Sequence, residues 1–133
     1  MAYQIDGNLR RRLTDRVAWL TTVTPSKRPA PRPVWFVFDG EVFIVFSSSS
    51  AAKVQHIRAN PNVSLNFNTD QEGGNVLVVS GKAQLANEIS ASKTPAYLEK
   101  YEARIKRIAH DLASFDEAYD LGIRIAPERS WGF

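Results

Sequence analysis

The chain has 133 residues, 17 Lys and Arg against 14 Asp and Glu, a formal charge of +3 and no cysteine. That is the length of one domain, spanning 1–133, with a core of its own, and the missing cysteine excludes disulfides and thiolate metal sites. No apolar run approaches the ~20 residues of a membrane-spanning helix and the polar start carries no secretory pattern, so a soluble cytoplasmic protein is expected, while the positive balance favours anionic partners without selecting among them.

Leu9, Leu13 and Val17 recur at helical spacing in an Arg- and Asp-rich background, which predicts a short amphipathic helix plugging one end of the fold. The run Arg10-Arg11-Arg12 on it reads as a solvated face. WLTTVT, rich in β-branched residues, is the first strand, and Pro25 to Pro29 its exit turn. In APRPVWFVF, Pro31 and Pro33 cannot donate to a ladder and belong on an edge or at a strand's start, leaving Val34 to Phe38 as the regular part of strand two. Asp39-Gly40 between two apolar runs is the strongest hairpin signal in the chain and leads into EVFIVF, strand three of a meander.

That third strand runs into FSSSSAAKVQHIRANP, where small hydroxylated residues precede a short helix with Val54 and Ile57 on one side and Asn60-Pro61 at its end. Val63, Leu65 and Phe67 alternate with polar residues as strand four, and NVLVVSGKAQLA is strand five, with Gly81 marking a bulge or bend. Thr94 reads as an N-cap and Pro95 as the first turn of a long helix whose stripe is Leu98, Tyr101, Ile105, Ile108 and Leu112. Phe115 to Asp120 adds a helical turn, and GIRIAP is strand six. The sum is a mainly β chain, a six-stranded antiparallel barrel with peripheral helices.

The chemistry-bearing patterns are few. His56 and His110 have no spacing that recruits a metal or a nucleophile, and neither a P-loop, a dinucleotide glycine motif nor a hydrolase elbow is present. An oligonucleotide-binding barrel would need aromatic and basic residues interleaved on exposed strands, and these are missing. What survives is an anion site: the first turn of the helix after the serines leaves backbone N–H groups free, and Lys53 adds a charge. An ordinary helix cap with a solvent-facing Lys53 accounts for the same residues.

Strand two with Arg32-Pro33-Val34-Trp35-Phe36, the Asp-Gly turn, and VFIVFSSSSAAKVQHIRANPNVSLNF together resemble the pyridoxamine 5′-phosphate oxidase-like family of flavin-binding split β-barrels, most of all its coenzyme F420-dependent actinobacterial branch. The resemblance runs from WLTTVT to IRIAPERSWGF and implies that Ser47, Ser48, Ser49 and Lys53 hold a cofactor phosphate. It implies too that Arg32, Pro33, Val34 and Trp35 line the ring system. In this family two barrels form a homodimer with cofactors at the interface, so Trp131, with Asn75 as a second candidate, would close over the partner's cofactor. The bland counterparts are Trp35 as barrel core, Trp131 as packing and Arg32 as a surface cation. Ala51-Ala52 stand where the vitamin-forming oxidases carry Ser-Arg, and no histidine follows His110, which argues against pyridoxamine phosphate oxidation. The expected function is F420-dependent hydride transfer with a small conjugated substrate, with no side chain named as catalytic. The alternatives are an FMN-dependent oxidase or flavin reductase of the same fold and a non-enzymatic cofactor carrier.

Overall fold

A computed structural model describes residues 6–133. Seven strands form one antiparallel sheet in the order β2-β1-β5-β6-β7-β4-β3. They are β1 (Ala18–Val23), β2 (Pro29–Val34), β3 (Val37–Phe38), β4 (Phe43–Ser47), β5 (Asn62–Phe67), β6 (Leu77–Ala86) and β7 (Leu121–Gly132). The helices are α1 (Gly7–Arg12), α2 (Ala52–Ala59), α3 (Pro95–Ile108) and α4 (Leu112–Ala118), with a short 3-10 turn at Ala91–Lys93. Among the described residues no helix is long and apolar enough to cross a membrane.

Seven strands rather than six arise because the second predicted strand breaks in the middle. Pro29, Pro31 and Pro33 all lie within β2, which pairs only with β1 and so can tolerate residues without an N–H on its free side. Trp35-Phe36 then leaves the ladder, and β3 resumes against β4. The regular strand is therefore the proline-rich segment, and Val34 to Phe38 contains the break. Because the two edge strands of the sheet are consecutive in the chain, the sheet curls until its edges are two residues apart. This is a split barrel.

The break costs backbone pairing, and α3 restores it. The Phe36 N–H donates to the Tyr101 hydroxyl at 2.9 Å, while that hydroxyl lies 2.8 Å from the Arg16 carbonyl and 3.0 Å from that of Phe36. Lys100 donates to the carbonyls of Leu13 at 3.1 Å and Phe36 at 2.9 Å, with its ammonium 3.7 Å from the centre of the Phe36 ring. Burial, only partly opposed by Asp15, pulls the Lys100 pKa down to about 8. An unfolded lysine near 10.4 keeps a proton that the folded one has released, so between about pH 8 and 10 this group makes stability rise with pH. Chemical denaturation over that range is expected to show the rise, and Lys100→Met to abolish it.

Two apolar clusters follow from strand alternation. Inside the barrel lie Leu20, Val34, Phe36, Phe43, Val45, Leu65, Phe67, Val79, Ile123 and Ile125, with Leu9 of α1 and Ile57 of α2 joining them. The opposite faces of β3 and β4 present Val37, Ile44 and Phe46 to Tyr97, Tyr101, Ile105 and Phe115 of α3 and α4. The long helix thus buries Tyr97, Tyr101 and Ile105, whereas Ile108, expected in its stripe, is 56% exposed and Leu112 belongs to the next helix. Thr94 holds the N-cap position without a side-chain cap; its hydroxyl turns back to the Ser90 carbonyl instead.

Two further differences from the sequence reading have clear causes, and one expectation holds. Arg12 is buried rather than solvated, because its guanidinium satisfies the carbonyls of Asn75 (2.7 Å) and Asn68 (2.5 Å), where β5 leaves and β6 starts, and pairs with Asp15. β7 continues through Glu128-Arg129-Ser130-Trp131 because β6 supplies ladder partners as far as Leu77. Gly81 does mark a bulge, with the register shifting between Ser80 and Gly81, and a Cβ there would lie 2.2 Å from the Ala126 carbonyl oxygen. That atom is backbone in the partner strand and cannot step aside, so Gly81→Ala is expected to destabilise the protein by about 2 kcal/mol in a denaturant titration.

Candidate functional site

Where the broken strand passes under α3 and α4, the outer face of the barrel holds a cavity of about 340 Å³. Pro33, Val34 and Trp35 line one side, Phe46 the base, Tyr97, Phe115 and Tyr119 the helical side, and Lys53 of α2 closes it. That volume lies within the usual range of small-molecule sites. Trp35 is held by stacking, its ring 4.8 Å from Tyr101 and 6.2 Å from Phe115 at nearly parallel angles. The sequence places it there because the ladder stops at Val34, releasing the next side chain toward the helices instead of fixing it in the pleat.

Lys53 is half-buried, as the first turn of α2 must be when Val54 and Ile57 face inward. Burial lowers its pKa, and the guanidinium of Arg32 lowers it further. Arg32 leaves the free edge of β2 and donates to the Pro31 carbonyl at 2.7 Å. Among the described residues no ion pair involves either cation. Two positive groups close enough to disfavour each other, one of them partly desolvated and neither paired with a carboxylate, make a strong local preference for an anion.

The serines divide. Ser47 is buried at the end of β4 with its hydroxyl donating to the Ser48 carbonyl. Ser48 and Ser50 share a hydroxyl contact of 2.8 Å, and the helix begins after Ala51 with no side-chain cap. Ser49 is engaged from a distant part of the chain: its N–H and its hydroxyl donate to the two carboxylate oxygens of Asp120, at 2.8 and 2.9 Å. These two bonds hold the Asp120 carboxyl below the ordinary range. None of the three predicted serines lines the cavity.

The sequence-predicted residues therefore fall into three groups. Pro33, Val34, Trp35 and Lys53 converge on the cavity, with Arg32 beside Lys53. Ser47 ends β4, and Ser48 and Ser49 begin the loop that leads into Lys53's helix. Asn75 and Trp131 lie elsewhere, at the far end of the β6–β7 ladder, where Trp131 pairs with Val78 and is 59% exposed, and Asn75 adopts a left-handed φ of 58°. Sequence reasoning missed Tyr97, Ile108, Phe115 and Tyr119, all cavity residues. Tyr97 lies one turn before Tyr101, so the two-aromatic face was present in the sequence, but the stripe built on Leu98 hid it.

Aromatic side chains and two neighbouring cations thus meet at one cavity on a split antiparallel barrel. The sequence matches the family described as pyridoxamine 5′-phosphate oxidase over residues 5–131, and the chain belongs to that family. No functionally curated protein matches it significantly. Among solved structures, an F420 reductase shares 22% identity over 91% of this chain and 94% of its own, with a TM-score of 0.71. HutZ, the heme storage protein from Vibrio cholerae, shares 17% over 98% and 95% with a TM-score of 0.66. The General Stress Protein 26 from Bacillus anthracis shares 19% over 93% and 92%, with a TM-score of 0.67. At such identities the likeness carries the fold alone.

Proposed function

We propose that the protein is an oxidoreductase that uses coenzyme F420 for hydride transfer with a small conjugated organic substrate. The observation that carries this reading is the aromatic cavity closed by Lys53, with Arg32 as its unpaired neighbour. The lining fits a deazaflavin in kind: the partly exposed Trp35 and Tyr119 offer aromatic surface to a ring, and Lys53 and Arg32 offer charge to a phosphate. Family membership supports a flavin-type cofactor, and the F420 reductase among the structural neighbours favours the deazaflavin branch.

The bound cofactor supplies the hydride chemistry, and the chain's residues bind, orient and exclude water. Trp35, braced by Tyr101 and Phe115, fixes the plane of the ring. Tyr97, whose phenol burial keeps protonated across the working pH range, contributes a neutral hydroxyl. Lys53 and Arg32 anchor the anionic end. No side chain is assigned a catalytic role. In the same reading the protein is a cytoplasmic homodimer in which Trp131 and Asn75 close over the partner's cofactor. On the outer face of the sheet Pro33, Trp19, Asn66, Val78 and Trp131 lie in one cross-strand row, which leads from the cavity toward that end.

Turnover separates an enzyme from a carrier. Reduced F420 mixed with enones and quinones is expected to be oxidised faster with the protein than without it. Equal rates across the panel, with binding intact, would mean a carrier.

A further inference from the structure

Tyr97 and Tyr101 stand one turn apart on α3 with ring centres separated by 4.9 Å, and both are 1% exposed. Their hydroxyls have different fates. That of Tyr101 is taken up by the fold, between the Phe36 N–H and the carbonyls of Arg16 and Phe36. That of Tyr97 makes no hydrogen bond among the described residues, although its ring is packed on several sides, 4.9 Å from Phe46 and 6.3 Å from Phe115. No side-chain N or O among the described residues is sealed from solvent without a partner, so the small exposed part of Tyr97 is its hydroxyl. Because Tyr97 lines the cavity, that hydroxyl opens into it.

Packing alone would be served by phenylalanine, which fills the same space and brings no polar group to desolvate. The hydroxyl is therefore suited to a ligand. Burial, reinforced by the neighbouring phenols of Tyr101 and Tyr119, keeps its proton in place, so it is able to donate. The lining includes the Lys53 ammonium and, among the described residues, no carboxylate or imidazole, so the complementary group is an acceptor. We infer, resting on the reading of the cavity as a ring site, that the Tyr97 hydroxyl donates a hydrogen bond to a carbonyl oxygen of the conjugated ligand bound there. Deazaflavin and flavin rings carry the same pyrimidine carbonyls, and an enone substrate carries a carbonyl as well. Those two sources are separated by the molecule on which the bond is seen.

Tyr97→Phe removes the hydroxyl and keeps the ring. Its melting temperature is expected to equal or exceed that of wild type, because no protein group loses a partner. F420 affinity, from fluorescence titration, is expected to fall about three- to tenfold, the usual effect of one hydrogen bond. The Raman carbonyl band of bound F420 is expected at higher frequency in the variant, a change that altered packing alone would not produce. If F420 is unaffected and the carbonyl band of cyclohex-2-enone bound to the F420-loaded protein moves in that way instead, the substrate is the source. Affinities and carbonyl bands unchanged by Tyr97→Phe, for F420 and enone alike, would overturn the role of Tyr97 and leave the F420 reading standing. If wild type binds FMN and not F420, the F420 reading fails, and the same comparison on FMN decides Tyr97: a shifted carbonyl band supports the hydrogen bond and an unchanged one overturns it. Absence of binding by every one of these ligands would overturn both.

Discussion

Lys53→Ala is expected to weaken F420 binding by roughly ten- to a hundredfold while leaving the melting temperature within a few degrees of wild type. A charge-assisted hydrogen bond contributes about 1.5 to 3 kcal/mol, and each 1.4 kcal/mol is a factor of ten in affinity. The fold should not suffer, because Lys53 has no carboxylate partner among the described residues and sits near another cation. Removing it relieves repulsion at Arg32 and returns a desolvated ammonium's cost to the fold. Arg58, exposed further along the same helix, is the control: Arg58→Ala should change affinity by less than about twofold, as a surface charge screened by solvent. Equal affinities for wild type and Lys53→Ala would remove the anion anchor from the account.

Tyr101→Ala is expected to be the most destabilising single change at the site, by about 3 to 5 kcal/mol, through loss of a fully buried ring and the cavity it leaves. Its ring stacks on Trp35 and packs against Tyr97. Tyr101→Phe isolates the hydroxyl, which stands in for the ladder partner lost where β2 gives way to β3. With the Phe36 N–H left unsatisfied, a loss of about 1 to 3 kcal/mol is expected. The same variant should also weaken ring binding, since Trp35 is aimed by that break. Denaturant unfolding read beside cofactor titration distinguishes this from a purely structural effect: a Tyr101→Phe protein that is as stable as wild type contradicts the pairing role.

Local patterns made much of this legible in the sequence. Lys53 could be found because it stands in the first turn of the helix that follows the serines, whereas Trp35 was reached only through the family resemblance. Gly81 announced the bulge by interrupting a β-branched run. What escaped depends on contacts across the chain. Asp120 lies 71 residues from Ser49 and, in sequence, is merely a polar residue before a strand. Arg12 is indistinguishable from Arg10 and Arg11 until the Asn68 and Asn75 carbonyls face it. The break at Trp35-Phe36 escaped because Pro31 and Pro33, on an edge or at a strand's start, left Val34 to Phe38 as the regular part, whereas the edge strand β2 runs through the prolines and stops at Val34.

In the proposed function the cavity beside Lys53 holds a deazaflavin. Titration of the purified protein with F420 and, separately, with FMN, following fluorescence and absorbance, tests it most directly. Saturable F420 binding in the micromolar range or tighter, roughly −8 kcal/mol or better, is expected, with weaker binding of FMN. Tight FMN binding with no binding of F420 would contradict it.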